Sequence, residues 1–330
     1  MINKTKKNIK FLVTGAAGFI GSNLIYKLEK NINTDIIAVV YDISDKWRLL
    51  NVSSRVKIVK CDLTVYKQVE ELITKYKPDY IIHLATKGIY SNQWSNPASV
   101  MTDNYSMTVN ILEASKTYSK SIKGLLMVGS IHEYGNKIGS MKESDESNGN
   151  LAGLYAVSKR STVILADAYK KILPIIILRL STAYGPTNGI SKFVEGTVFK
   201  FIENNPILVA KGVVKDFIYI DDVTDALIAG VLNAKKFSGE IINIGSGMGY
   251  NLGTVTEIIK NKLNMNNDNI SVKIDEKFRR TNESMNWANI EKAYRLLGWK
   301  PKYSIEKGLD LTIKWYINNY KIFLNNIDLV

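Results

Sequence analysis

Tyr155 and Lys159 stand one helical turn apart in the run Tyr-Ala-Val-Ser-Lys. On a helix this spacing puts a phenol and an ammonium on one face. A free Tyr titrates near about 10. A neighbouring cation stabilises the phenolate and lowers that value, which yields an acid/base usable near neutrality. Ser130 lies in Gly-Ser-Ile-His-Glu-Tyr-Gly, residues 129–135, at the end of an apolar run. A hydroxyl there can bind a reacting oxygen and relay its proton. His132 follows in the same segment. Imidazole ordinarily titrates close to working pH, so His132 is a candidate for proton transfer or for substrate hydrogen bonding.

A second constellation handles phosphate. Gly15, Gly18 and Gly21 form a GxxGxxG between an apolar run, 10–14, and a helical pattern through Ile20, Leu24, Ile25 and Leu28. The first two glycines let the backbone turn and approach a pyrophosphate, and the third permits close helix–strand packing. The N–H groups of the helix start, at Phe19 and Ile20, supply donors and a positive dipole. Asp42 lies 21 residues after Gly21. A carboxylate there accepts from ribose hydroxyls and repels a 2′-phosphate, which favours NAD over NADP. Lys46 and Arg48 lie just beyond and could accommodate a phosphate. Asp62 and Leu63, in Cys-Asp-Leu, are placed to meet the adenine edge.

These groups need a scaffold. Runs at 10–14, 36–41, 56–61, 79–85, 124–130 and 174–181 read as strands. Helical patterns intervene, and the helices at about 98–118 and 154–171 are the longest of them. The strands are continuously apolar, which suits a parallel sheet buried on both faces. The rhythm predicts an α/β, doubly wound Rossmann-type sheet over 1–181, with a smaller α+β lobe over 182–330. Segments near 215–246 are allowed to pack back on the first part. Residues 136–150 read as a mobile loop. Ser304 reads as the N-cap of a last helix, and Asp221 and Asp222 as helix caps.

Composition narrows the class. The 330 residues include 44 Lys+Arg against 31 Asp+Glu, a net charge of +13, with two His and one Cys. A single Cys61 excludes an internal disulfide and a Cys-based zinc site, and two distant His argue against a metal centre. His83, in an apolar strand, reads as structural. No apolar run is long enough to span a bilayer, so a cytoplasmic protein without a membrane partner is expected. The basic excess has no nucleic-acid motif with it and reads as solvated Lys.

Together these motifs resemble the extended short-chain dehydrogenase/reductase family, in its NAD-dependent nucleotide-sugar epimerase/dehydratase group. The resemblance runs through TGAAGFIGS, the CDL at Asp62, HLA at 83–85, the helix from Asn104, GSIHEYG, YAVSK, LRLSTAYGP, KDFIYIDDV from Lys215, NIGSG and RLLGWKP. It implies NAD as cofactor, with Leu84, Ala85 and Asn104 added to its contacts. It also implies a nucleotide-diphosphate sugar as substrate, and a homodimer through the helices near 104–118 and 154–171. For the substrate it points to Ser130, His132 and Arg279. Lys215 stands where the family has a second Arg, and Thr182 where an Asn is common.

The reaction it implies is redox chemistry at C4 of the sugar, by a 4-dehydrogenase or 4-keto reductase, with a 4-epimerase as the alternative. Tyr155 would move the hydroxyl proton, Ser130 orient the oxygen and Lys159 tune the phenol and hold the nicotinamide ribose. Ile131 and His132 replace the acidic residues of 4,6-dehydratases, which disfavours dehydration. A non-catalytic cofactor sensor or RNA-binding relative is disfavoured by the retained Tyr–Lys pair.

Overall fold

The apolar runs become strands. β1 (Ile9–Thr14), β2 (Thr34–Val40), β3 (Val56–Lys60), β4 (Tyr80–His83) and β5 (Gly124–Ser130) are interleaved with α1 (Phe19–Glu29), α2 (Tyr66–Tyr76) and α3 (Pro97–Lys116). Next come β6 (Ile138–Met141), α4 (Leu154–Tyr169), β7 (Ile175–Leu180), β8 (Thr182–Tyr184), α5 (Phe193–Ile202), β9 (Ile207–Ala210), β10 (Val214–Lys215) and β11 (Phe217–Tyr219). The chain continues with α6 (Ile220–Asn233), β12 (Ile241–Ile244), β13 (Tyr250–Asn251), α7 (Leu252–Lys262), β14 (Val272–Asp275), β15 (Met285–Ala288), α8 (Glu291–Leu297) and α9 (Ile305–Leu324). This computed structural model describes residues 8–30, 33–43, 46–87, 97–145, 153–263, 272–275 and 285–324.

Seven strands form one sheet in the order β3-β2-β1-β4-β5-β7-β12. β1 pairs in parallel with β2 and β4, β2 with β3, and β4 with β5. Strand order reverses at β1, so β1 and β4 flank the switch point where such sheets bind ligands. β5 and β7 are buried along their whole length, as their unbroken apolar character requires. Among the described residues, one compact unit takes those up to Gly129 with Ser158–Leu178 and Leu227–Ile241. The other takes Ser130–Val157, Arg179–Ala226 and those from Ile242 onward.

The first unit is built on the sheet. Leu12, Ile37, Ile81, Leu125 and Ile175 pack with Leu112 of α3 and Val163 of α4. α2 ends where Lys77 takes a left-handed φ of 44° and donates its N–H to Ile73, just before Pro78.

The second unit uses short strand pairs. β8 pairs with β11, β9 with β14 and β6 with β15, all in parallel, and β10 pairs antiparallel with β13. β6 corrects the loop reading of 136–150. Residues 138–141 match Met285–Ala288 in register, and Asn289 N–H donates to the Met141 carbonyl at 2.8 Å. Residues 146–150 lie outside the described residues.

Buried acids tie this unit together. Asp216 accepts from Ser181 Oγ at 2.9 Å and Ala288 N at 3.0 Å on one oxygen, and from Ser246 N at 2.8 Å and Oγ at 2.6 Å on the other. Asp222 corrects the capping assignment. Its two oxygens accept from the backbone N–H groups of Lys302 and Tyr303, which anchors the chain ahead of α9. Ser304 does cap α9, accepting from Lys307 N at 3.3 Å.

Glu195, in the first turn of α5, has no exposed surface. One oxygen accepts from Gly185 N at 2.9 Å, and Oε2 has no hydrogen-bond partner. Burial raises its pKa from 4.5 to about 7. An acid with a raised folded pKa binds more protons folded than unfolded, so its stabilising contribution is complete below about 4.5 and is lost as pH rises through about 7. The loss is of order 3 kcal/mol. Glu195→Gln should therefore melt above the wild type at pH ~8 and match it near pH ~4 in thermal scans.

Candidate active site

The first unit builds a phosphate cradle from backbone. Gly15 sits at a φ of 65°, and a Cβ there would come within 2.8 Å of Ala85 N. A Cβ on Gly21 would come within 2.2 Å of the Gly15 carbonyl. α1 starts after Gly18 with no side-chain cap and no acidic residue in its first turn, so an anion meets donors without competition. Phe19 and Ile20 provide that first turn. These features fit the diphosphate of a dinucleotide.

Around the cradle, the Thr14 hydroxyl accepts the N–H groups of Leu84 and Ala85, both at 3.1 Å. Its own proton therefore goes to His83 Nδ1, 2.8 Å away. Burial first, and then the Lys159 charge, takes the His83 pKa down to about 3, so the imidazole is neutral. Asn104 uses both ends of its amide on the loop after β4. It accepts from Lys87 N at 2.6 Å and donates to the Lys87 carbonyl at 3.2 Å. Lys159 is buried, and its Nζ donates to the Val128 carbonyl at 3.3 Å.

The adenosine side is less enclosed. Asp42 follows β2 and is exposed. Arg48 donates to the Ala17 carbonyl at 3.3 Å and stacks on Trp47 at 4.3 Å, so it braces the glycine turn. Asp62 Oδ1 accepts from Thr64 N and Oγ1, a local turn, and the Leu63 carbonyl accepts from Asn110.

In the second unit, Ser130 N-caps a short 3₁₀ turn, Ile131–Tyr134. Its hydroxyl accepts from His132 N at 3.2 Å, and its own N–H donates to Glu133 Oε1 at 2.7 Å. This is a complete capping box. Glu133 Oε2 accepts from Arg179 Nε at 3.0 Å, inside the protein. Arg179 stacks on Tyr134 at 4.8 Å, and Tyr134 donates to Asn243 Oδ1 at 2.8 Å.

Tyr155, in the first turn of α4, shares a hydrogen bond with Ser130. The His132 ring stands edge-on to it, centroids 6.3 Å apart. Burial and then Glu133 raise the Tyr155 pKa to about 12, against the lowering influence of Ser130. The i,i+4 spacing of Tyr155 and Lys159 predicts a lowered value, and desolvation reverses it. His132 needs a similar correction. Burial, and then the charge of Lys215 on β10, lower its pKa to about 4, so it is neutral at working pH.

The predicted residues thus fall into two sets. Gly15, Gly18, Gly21, Leu84, Ala85, Asn104 and Lys159 belong to the first unit, and Ser130, His132, Tyr155, Thr182 and Lys215 to the second. Thr182 N–H donates to the Asp216 carbonyl at 2.9 Å. Arg279 lies outside the described residues. Sequence reasoning passed over Glu133, Arg179 and Asp216. Two signals pointed to the first pair: the Ser-x-x-Glu spacing at 130–133, and an Arg within the apolar run Ile-Ile-Ile-Leu-Arg-Leu. Among the described residues no group of three or more His, Cys, Asp or Glu is arranged to hold a metal ion.

A glycine-rich β1–α1 turn at the switch point of a parallel sheet, with a Tyr–Lys helix, defines a dinucleotide-dependent α/β enzyme. The chain belongs to the NAD dependent epimerase/dehydratase family, whose model matches residues 11–245. It is 29% identical over 328 residues to a UDP-glucuronate 4-epimerase of Thermodesulfobacterium geofontis, covering 94% of this chain and 97% of that one. A dTDP-glucose 4,6-dehydratase of Shigella flexneri is 25% identical over 94% of this chain and 93% of its own. Among solved structures, the UDP-glucuronic acid 4-epimerase of Bacillus cereus, in complex with UDP-glucuronic acid and NAD, superposes with a TM-score of 0.84. It is 26% identical, with 94% of this chain and all of that chain covered.

Gly15→Ala would force a side chain into the left-handed region and against Ala85 N. NAD affinity, measured by calorimetric titration, should fall by about tenfold or more, roughly 1.4 kcal/mol.

Proposed function

We propose that this chain oxidises C4 of a nucleotide-diphosphate sugar and returns the hydride to the same carbon, so that the net reaction is 4-epimerisation. The observation that carries the reading is the Ser130–Tyr155 hydrogen bond, in a buried turn with neutral His132 beside it. Relatives named as UDP-glucuronate 4-epimerases, in bacteria and in Arabidopsis thaliana, support it. A 4-dehydrogenase or 4-keto reductase would use the same first half-reaction.

Bound NAD would accept the C4 hydride and give it back. Tyr155 takes the proton of the C4 hydroxyl as the hydride leaves and returns it to the C4 oxygen afterwards. A phenol held near 12 stays protonated at rest, so the form that returns a proton to the C4 oxygen is the populated one. Lys159, one turn further along α4, supplies the cation that eases the opposite transfer. Ser130 orients the oxygen. His132, neutral, acts as a hydrogen-bonding wall rather than a charged acid. The resemblance assigns the diphosphate to Lys215 and Arg279 and the sugar to Thr182, and those are the roles proposed for them. Asp42 selects NAD through the ribose hydroxyls, and Asp62 and Leu63 border the adenine. The first unit is then the cofactor half and the second the sugar-nucleotide half.

4,6-Dehydration, in which a C5 proton and the C6 hydroxyl leave as water from the 4-keto sugar, needs acidic groups beside Ser130. Ile131 has none, His132 is neutral, and Glu133 is buried against Arg179. That favours epimerisation over the 4,6-dehydratase chemistry of other relatives. Exposed Tyr105 on α3 and Ile164 on α4 support a homodimer through those helices, and the substrate and cofactor suit the cytoplasm. Among the described residues no helix is long and apolar enough to cross a membrane.

The protein should be incubated with UDP-glucuronate, UDP-glucose and their C4 epimers, and the products read by NMR alongside 340-nm absorbance. Inverted sugar without accumulated NADH is expected, and Tyr155→Phe should lose about 100-fold or more in kcat. Stoichiometric NADH with a keto product would instead establish the dehydrogenase.

A further inference from the structure

The Glu133–Arg179 pair lies outside the roles given above. Glu133 has no exposed surface and Arg179 almost none. Such a pair is costly to desolvate, and replacing it by apolar side chains is often neutral or stabilising. Its geometry is directed at the reacting group. One carboxylate oxygen receives the Ser130 N–H at 2.7 Å, which fixes the residue whose hydroxyl meets Tyr155. The other receives Arg179 Nε at 3.0 Å. The Glu133 charge also acts on Tyr155 itself.

We propose that Glu133 is a positioning residue with two separable effects: its hydrogen bond sets the Ser130 backbone, and its charge, moderated by Arg179, sets the field at the Tyr155 phenol. This rests on the C4 reading, in which Tyr155 is the acid/base. A negative charge beside the phenol keeps the proton on it, so Glu133 biases Tyr155 towards the proton-donating form that completes the return step. The charged and titratable groups around this centre are Arg179 on β7, Tyr134 and His132 on the turn, Lys159 one turn along α4 from Tyr155, and Lys215 on β10, which acts on His132. Tyr134 is further held by Asn243, whose own N–H donates to Glu143 at 2.8 Å.

Three variants separate the effects. Glu133→Gln keeps an acceptor for Ser130 and removes the charge. Glu133→Asp keeps the charge and draws it back from Ser130. Glu133→Gln with Arg179→Met removes both charges, so no buried ion is left unpaired should the single variant fail to fold. The readout is the Tyr155 titration in holoenzyme labelled with [13Cζ]tyrosine, its signal identified by its absence in Tyr155→Phe. The Tyr155 midpoint should fall by about one unit or more in Glu133→Gln, and by less in the double variant. In Glu133→Asp the midpoint should hold while kcat drops, with KM for the sugar nucleotide little changed. Unshifted midpoints in both charge-removing variants, with Tyr155→Phe inactive, would overturn the role of Glu133 alone. Full turnover by Tyr155→Phe would overturn the C4 reading and this inference with it.

Discussion

A carboxylate without solvent holds the turn after β5 together. Glu133 binds the Ser130 N–H and Arg179 at once, joining the end of β5 to a charge within the buried strand β7. Neither ion could sit there alone, because an unpaired buried charge costs several kcal/mol. The pair therefore forces the 3₁₀ turn at 131–134 into one geometry, and with it the Ser130 hydroxyl and the His132 ring. Tyr134 and Asn243 extend the network, since Asn243 also donates to the Met141 carbonyl at 2.9 Å. The short pair β6–β15 is thus linked to the turn at 131–134.

The two units solve different problems with different groups. The first presents backbone. Its glycines leave room that a Cβ would fill, as a diphosphate would require, and Thr14, Asn104 and Arg48 hold the surrounding loops by hydrogen bonds. The second presents side chains and ties them with buried acids, Glu133, Asp216 and Glu195. Gly245 shows how tight this is: a Cβ there would lie 2.2 Å from both Asp216 Oδ2 and Ser181 Oγ. Desolvation is the common electrostatic theme. It leaves His83 and His132 neutral and keeps the Tyr155 proton in place.

Much of this was legible in the residues. Continuous apolar runs located the strands of the large sheet, because a strand buried on both faces has no polar alternation. The glycine spacing located the β1–α1 turn, and the Tyr–Lys spacing fell on the helix α4. Three things were not legible. The sign of the Tyr155 shift depends on burial, which spacing does not encode. Strands such as β6 and β15 are four residues each and gain their register only from each other. Asp216 looks like any Asp before an apolar stretch, until Ser181, Ser246 and Ala288 converge on it from distant parts of the chain. The net charge of +13 likewise suggests a polyanion at first sight. The structure gives part of it a local use in Lys159, Lys215 and the buried Arg179.

In the proposed reaction a hydride leaves C4 and returns to C4. A sugar nucleotide carrying deuterium at C4 tests it most directly, by NMR and mass spectrometry of the product. The account predicts that the inverted product keeps its deuterium at C4, with no solvent hydrogen entering at C3 or C5. Loss of the C4 label, or solvent exchange at C5 during turnover, would contradict it.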